Sequence, residues 1–301
     1  MKNIRKPAVA GYFYPSDKEK LLEAIEWSFT HELGPGTLPK GEPANDRNIL
    51  AAQVPHAGYI YSGPAAAHVY LALYYDGRPD TIVIMGPNHH GVGPRVSVYS
   101  GDAWETPLGL VEVDKEYIKE LSKNDPFTLD TQAHAAEHSI EVQLPFLQYI
   151  YGNGIKIVPI TIWDQSLDSA QEISDILFDV SLELGKDVIF LASSDMSHYD
   201  THERTVEKDR EAIVAIESLD EKGLYKVIYE KDITMCGYGP VITAILLTKK
   251  VNGRAFTLKY YTSGDITGDK SAVVGYASII FTKGQGSRFQ ELEAEKEALP
   301  I

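Results

Sequence analysis

Cysteine is almost missing: Cys236 is the only one in 301 residues. An internal disulfide is excluded, and a lone thiol suits a reducing compartment, where it serves as buried filler, metal ligand or nucleophile. Positive charge is also scarce. With 28 Lys and Arg against 43 Asp and Glu, the formal net charge is −15, which repels polyanions and argues against a nucleic-acid partner. No apolar run approaches the roughly 20 residues that cross a bilayer, and the opening MKNIRKPAVAGYFYP has no long apolar stretch before its Pro and Gly. Neither a membrane span nor a secretory leader is expected, and the cytoplasm is the expected location. The chain also lacks a Walker-type phosphate loop, a GxGxxG after a strand, a GxSxG elbow and an HExxH helix. Nucleotide phosphoryl transfer, dinucleotide binding, triad hydrolysis and zincin protease chemistry lose their usual supports.

What is present is the composition of an ordinary globular protein, 44% hydrophobic and 24% charged, enough to bury a sizeable core. Ser16 with Glu19 forms a capping-box pattern ahead of Leu21, Leu22, Ile25 and Phe29, so a first helix is predicted over 17–31. The Gly- and Pro-rich stretch 34–47 reads as a surface loop. Strands are predicted at 49–54, 81–85, 96–99, 155–162, 187–192, 256–261 and 272–281. Helices are predicted at 64–75, 114–123, 139–151, 168–184, 203–218, 220–230 and 239–249. This alternation implies an α/β fold, a single domain over 1–283 with a mixed or mostly parallel sheet flanked by helices on both faces. The charged stretch 284–301 reads as a tail.

In such sheets the loops leaving the carboxyl ends of strands build the site. Four of these loops carry chemistry: PHAGY at 55–59, GPNHHG at 86–91, SSDMSH at 193–198, and CGYGP at 236–240 just before a helix. His56, His89 and Cys236 form a set of the kind that holds a catalytic metal with a position left open. His90 competes with His89 for the inward-facing role. A helix start beside Cys236 favours its thiolate. Asp195 and His198, three apart, make a pair suited to general base work. In EHSIE, Glu137 and Glu141 share a face if the helix has already begun; they read either as first-turn acids behind a Ser139 cap or as acid/base groups or groups that orient a ligand, with His138 between them. Tyr12, Tyr14, Tyr59, Tyr61 and Tyr238 lie in or beside these motifs as candidate pocket walls, whereas His31, His68, His134 and His202 read as structural or solvated.

Taken in order, AGYFYP at 10–15, VPHAGYIYSG at 54–63, GPNHH at 86–90, EHSIE at 137–141, SSDMSH at 193–198 and MCGYGP at 235–240 resemble the Memo family, also known as protein B of the AmmeMemoRadiSam set. The resemblance spans residues 6–282. It implies the fold of LigB-like class III extradiol dioxygenases, with His56, His89 and Cys236 at the metal site and Asp195 and His198 in the same pocket. Where those dioxygenases have a carboxylate ligand, this sequence has Cys236. A thiolate donates more charge and is oxidisable, so Fe(II) is the expected metal with Cu or Zn as alternatives.

Two functions follow as expectations. One is metal-dependent redox or oxygenase-type chemistry on an unknown small substrate, with His198 as general base supported by Asp195. The other is a non-catalytic binding module that uses the same pocket for a peptide or phospho-ligand, a role proposed for animal members of the family in signalling.

Overall fold

The computed structural model describes residues 2–44 and 46–284; the expected tail, from 285 on, lies outside the described residues. The chain opens with β1 (Ile4–Arg5) and α1 (Lys18–Thr30), then β2 (Ile49–Val54), α2 (Tyr59–Asp76) and β3 (Thr81–Pro87). Next come β4 (Val96–Tyr99), β5 (Ala103–Thr106), β6 (Gly109–Val113), α3 (Lys115–Leu121) and β7 (Phe127–Asp130). After α4 (Gln132–Ala135), a short 3₁₀ turn at Glu141–Gln143 runs into α5 (Leu144–Tyr151), followed by β8 (Lys156–Ile162), α6 (Leu167–Leu184) and β9 (Val188–Ser193). The remainder is β10 (His198–Asp200), α7 (His202–Glu217), α8 (Glu221–Glu230), α9 (Tyr238–Lys250), β11 (Arg254–Thr262), α10 (Ser263–Thr267) and β12 (Val273–Thr282).

The strands form one mixed sheet in the order β1-β5-β6-β8-β3-β9-β2-β12-β10, with β11 beside β12 and β4 bridging β8 and β7. Its centre, β8-β3-β9-β2, is parallel throughout. Every residue of β2, β3 and β9 is buried, as expected of strands covered by helices on both faces and therefore apolar on both sides of the pleat. The parallel arrangement brings the carboxyl ends of β2, β9 and β3 to one edge of the sheet as neighbours. That edge carries the loops holding His56, Asp195 and His89.

Several local expectations are corrected. Asp17, not Ser16, caps α1, its carboxylate accepting the Lys20 amide at 3.0 Å. Helix α2 begins at Tyr59, five residues before Pro64. Its first turn is secured by Ser62 Oγ donating to the Ala57 carbonyl and by the Tyr59 hydroxyl donating to Val142 O. Residues 137–140 do not continue the α5 helix backwards: Ser139 caps nothing, and its amide donates instead to Glu137. Strands β1, β5, β6, β7 and β10 were not anticipated; β1 and β10, two and three residues long, are below the roughly four over which alternation can be read, and β5, β6 and β7 are only four or five residues long.

The N-terminal arm is fixed by Glu141. Its carboxylate accepts from Arg5 Nη1 (2.6 Å), the amides of Ala8 and Val9, and the Tyr14 hydroxyl (2.6 Å). Arg5 also donates to the carbonyls of His134 and Glu137 and lies 4.0 Å over the Trp104 ring. His134 is fully enclosed there, and burial, then the Arg5 charge, pushes its pKa down to about 3. A folded-state value below the usual 6.5 means that the unfolded chain takes up a proton first as the pH falls. His134 therefore contributes stability that is complete above about pH 6.5 and lost toward pH 3, on the order of 5 kcal/mol across the window. Urea titrations of wild type and His134→Gln should show a flatter pH dependence in the variant over that range; equal slopes would contradict the assignment.

Candidate metal centre

The ligand atoms of His56, His89 and Cys236 lie within 4.8 Å of one another. Cys236 Sγ is 3.1 Å from His56 Nε2, and the His56 and His89 rings meet edge to face at 5.2 Å.

Which nitrogen of each imidazole carries the proton follows from the partners. Ser193 Oγ spends its one hydrogen on the Ser139 carbonyl (2.6 Å) and accepts from Gln143 Nε2 (2.9 Å). His56 Nδ1, 2.9 Å from the same oxygen, must therefore donate to it, which leaves Nε2 as a lone pair facing the thiol. Burial, followed by His138 and His89, holds the His56 pKa well below its usual value, so the ring stays neutral. His89 is treated in the same way by Glu137. Nδ1 donates to Oε1 at 2.8 Å and the backbone amide donates to Oε2 at 2.8 Å. Burial pushes the Glu137 pKa up, yet its interactions with His89, the Ser139 amide and His138 together outweigh burial and keep it well below the usual carboxylate range. Glu137 is ionised and can only accept, so His89 Nε2 is the free nitrogen. An outer partner that fixes the tautomer of each histidine is the usual support of a metal-ligating imidazole. The residues present therefore fit a metal ion held by two imidazoles and a thiolate.

Cys236 occupies the turn before α9. Gln165 accepts from the Gly239 amide and donates to the Cys236 carbonyl, and the Asp195 amide donates to Sγ at 3.2 Å. The sequence suggested that the helix start would favour the thiolate. Burial and the neighbouring Asp195 dominate instead and push the thiol pKa well up, so the metal-free thiol keeps its proton and gives it up on binding metal.

The remaining expected site residues separate into those at the cluster and those elsewhere. His138 stacks on His89 (4.7 Å) and meets the His56 ring edge to face (5.3 Å), and burial lowers its pKa to about 4. His90 points outward, its ring nitrogen donating to the Ala136 carbonyl, which resolves the His89/His90 choice. Glu137 and Glu141 do not share a helix face. Glu137 reaches the cluster, and Glu141 holds the N-terminal arm. Tyr59 is buried and borders a cleft of about 470 Å³ with Tyr12, Phe13, Trp27 and Ile60, a cleft lined by no member of the His–His–Cys group.

Asp195 and His198 stand beside the cluster without forming the expected pair. Asp195 Oδ1 accepts the His56 amide at 2.8 Å, which fixes the end of β2. His198 Nδ1 lies 2.9 Å from the Thr234 carbonyl, an acceptor only, so its Nε2 is free. Among the described residues no hydrogen bond or ion pair joins the two side chains. A bulge at Tyr199 (φ 65°) interrupts β10 and separates the direction of His198 from that of the strand. Sequence reasoning missed Ser193, Gln143 and Thr234 as the groups that set the histidine tautomers. Ser193 sat inside a marked motif; Gln143 and Thr234 gave no local signal.

The fold and site define an α/β protein whose strand-end loops gather two imidazoles and one thiol into a cluster that could hold a metal ion. The family model described as "Memo-like protein" matches residues 5–280. A "MEMO1 family protein" of Sulfolobus acidocaldarius is 50% identical over 282 residues, covering 92% of this chain and 99% of its own. Relatives with the same family name from Saccharolobus islandicus (51% over 280 residues) and Sulfurisphaera tokodaii (49% over 281) cover the same shares. The chain belongs to the Memo family. Among the described residues no helix is long and apolar enough to cross a membrane.

Replacing Glu137 by Gln is expected to weaken metal binding about 10- to 100-fold, because the amide can present a donor to His89 Nδ1 and loosen its tautomer. Competitive chelator titration of wild type and variant measures this; unchanged affinity would remove Glu137 from the centre.

Proposed function

We propose that this Memo-family chain is a metal-dependent redox enzyme acting on a small molecule, with Fe(II), or alternatively Cu, held by His56, His89 and Cys236; Zn in the same ligands would give a Lewis-acid site without redox chemistry. The observation that carries the reading is the convergence of two imidazole rings on a half-buried thiol, each imidazole oriented through Nδ1 by its own outer partner so that Nε2 faces the cluster. A redox-active ion there would supply one-electron chemistry and polarise a ligand bound at its open position.

The protein groups do the rest. Ser193 and Glu137 hold the two imidazoles in their ligating tautomer. Asp195 pins the His56 loop through the backbone. His198, its Nδ1–H committed to Thr234, offers Nε2 as the base that takes a proton from a bound hydroxyl. Burial of His56 keeps bulk water from competing for its donor nitrogen.

The test is oxygen consumption by Fe(II)-reconstituted protein across a panel of phenolic and other small hydroxylated compounds, wild type beside His198→Ala. The expected result is substrate-dependent uptake that falls about 100-fold or more in the variant, the scale of a general base, with iron content unchanged. Equal uptake in the two proteins would contradict the assigned role of His198.

A further inference from the structure

Buried tyrosine hydroxyls are almost always bonded, because an unmade hydrogen bond in the interior is costly. This protein follows the rule at Tyr14, Tyr59, Tyr70 and Tyr117, whose hydroxyls each have a named acceptor. Tyr276 breaks it. It is 2% exposed, and its hydroxyl has no hydrogen-bond partner among the described residues. Nor is the oxygen one of the sealed, partnerless atoms of the interior, so the sliver of Tyr276 that meets open space includes its hydroxyl end.

Strand register and backbone bonds place Tyr276 beside the loops of the metal cluster. In the antiparallel ladder Ile279 pairs with Gln53, which brings Tyr276 level with His56 just past the end of β2. The Met196 amide donates to the Gly275 carbonyl and the Gly275 amide to the Ser197 carbonyl, both at 2.9 Å, fastening this part of β12 to the loop that carries Asp195 and His198. The ring is enclosed by Tyr261, edge-on at 5.7 Å, and by Ala65. Tyr261 spends its own hydroxyl on the Tyr61 carbonyl and the Ala65 amide, so the contrast between these neighbours is one of direction.

We propose that Tyr276 is a ligand-binding residue of the metal pocket, its hydroxyl donating a hydrogen bond to a carboxylate or phenolate oxygen of a small molecule bound beside Asp195 and His198. Burial and the Asp195 carboxylate both hold the phenol proton in place, so Tyr276 acts as a donor across the working pH range. Tyr61, 40% exposed, and Tyr199, 79% exposed, are its other electrostatic neighbours and supply aromatic surface for the body of such a ligand. The inference rests on the reading of this pocket as a metal-dependent ligand site.

The test uses 4-nitrophenolate as a chromophoric oxyanion and 4-nitroanisole as its uncharged counterpart, titrated into Zn(II)-loaded wild type and Tyr276→Phe, with zinc measured in each. The expected result is binding of the phenolate by wild type, weakened about 10- to 100-fold in Tyr276→Phe, the range of one hydrogen bond to a charged acceptor. Zinc content and 4-nitroanisole affinity should be unchanged. Equal phenolate affinity in the two proteins, no phenolate binding by wild type, parallel loss of both probes, or loss of zinc in the variant would each overturn the proposal. If wild type takes up no zinc the metal reading fails by itself, and the same titration of metal-free protein still decides the role of Tyr276.

Discussion

Cys236→Ser should lose its metal. Protein purified without an affinity tag and reconstituted anaerobically with Fe(II) is expected to hold near-stoichiometric iron as wild type. The serine variant should retain little, because the change removes a ligand and not an outer partner. The expected loss exceeds the 10- to 100-fold that follows removal of an outer hydrogen bond. Two features make Cys236 decisive. It is the only thiol, so no neighbouring sulfur can substitute, and its Sγ stands 3.1 Å from the free nitrogen of His56. A serine hydroxyl is harder, less acidic and shorter, and leaves two imidazoles, which bind a divalent ion weakly. The fold should survive, since the change is nearly isosteric and the Asp195 amide that donates to Sγ can donate to Oγ. A serine variant with full iron content would show that the metal resides elsewhere and that Cys236 is a core thiol.

The second large effect is expected from Glu141→Gln, and it is on stability. Arg5 and Glu141 are a buried ion pair, with side chains 4% and 0% exposed. Removing one charge of such a pair strands the other and costs about 3–5 kcal/mol. Here the stranded group is Arg5, whose remaining bonds to the carbonyls of His134 and Glu137 cannot neutralise it. The amides of Ala8 and Val9 and the Tyr14 hydroxyl also lose a charged acceptor. Chemical denaturation should show a lower midpoint with little change of slope. Iron bound per folded molecule should stay at the wild-type level. That combination separates the two acids of the EHSIE motif: Glu137→Gln acts on the metal, Glu141→Gln on the arm. A variant of Glu141 with wild-type stability but weakened metal binding would reverse the assignment.

The parts of this account visible in the sequence are those governed by local pattern. Continuous apolar runs such as 49–54 and 81–85 announced buried parallel strands, and the polar loops after them announced the site edge, because strand direction alone determines which loops meet. His56, His89 and Cys236 could be grouped for that reason. What could not be read depends on contacts between distant residues. Glu137 and Glu141 are four apart, yet one serves His89 and the other Arg5, since the chain between them is irregular and the 3₁₀ turn starts only at Glu141. Asp195 and His198 are three apart and do not bond, since Thr234 claims the histidine and the bulge at Tyr199 turns the strand. Tyr276 had no signal among eighteen tyrosines; its enclosure together with an unbonded hydroxyl beside the Asp195 loop depends on contacts distant in sequence.

The most direct measurement of the central claim is X-ray absorption at the iron edge of the Fe(II)-reconstituted protein. One sulfur and two imidazole scatterers in the first coordination shell, with the sulfur lost in Cys236→Ser, is the predicted result. A first shell of nitrogen and oxygen alone in wild type would contradict it.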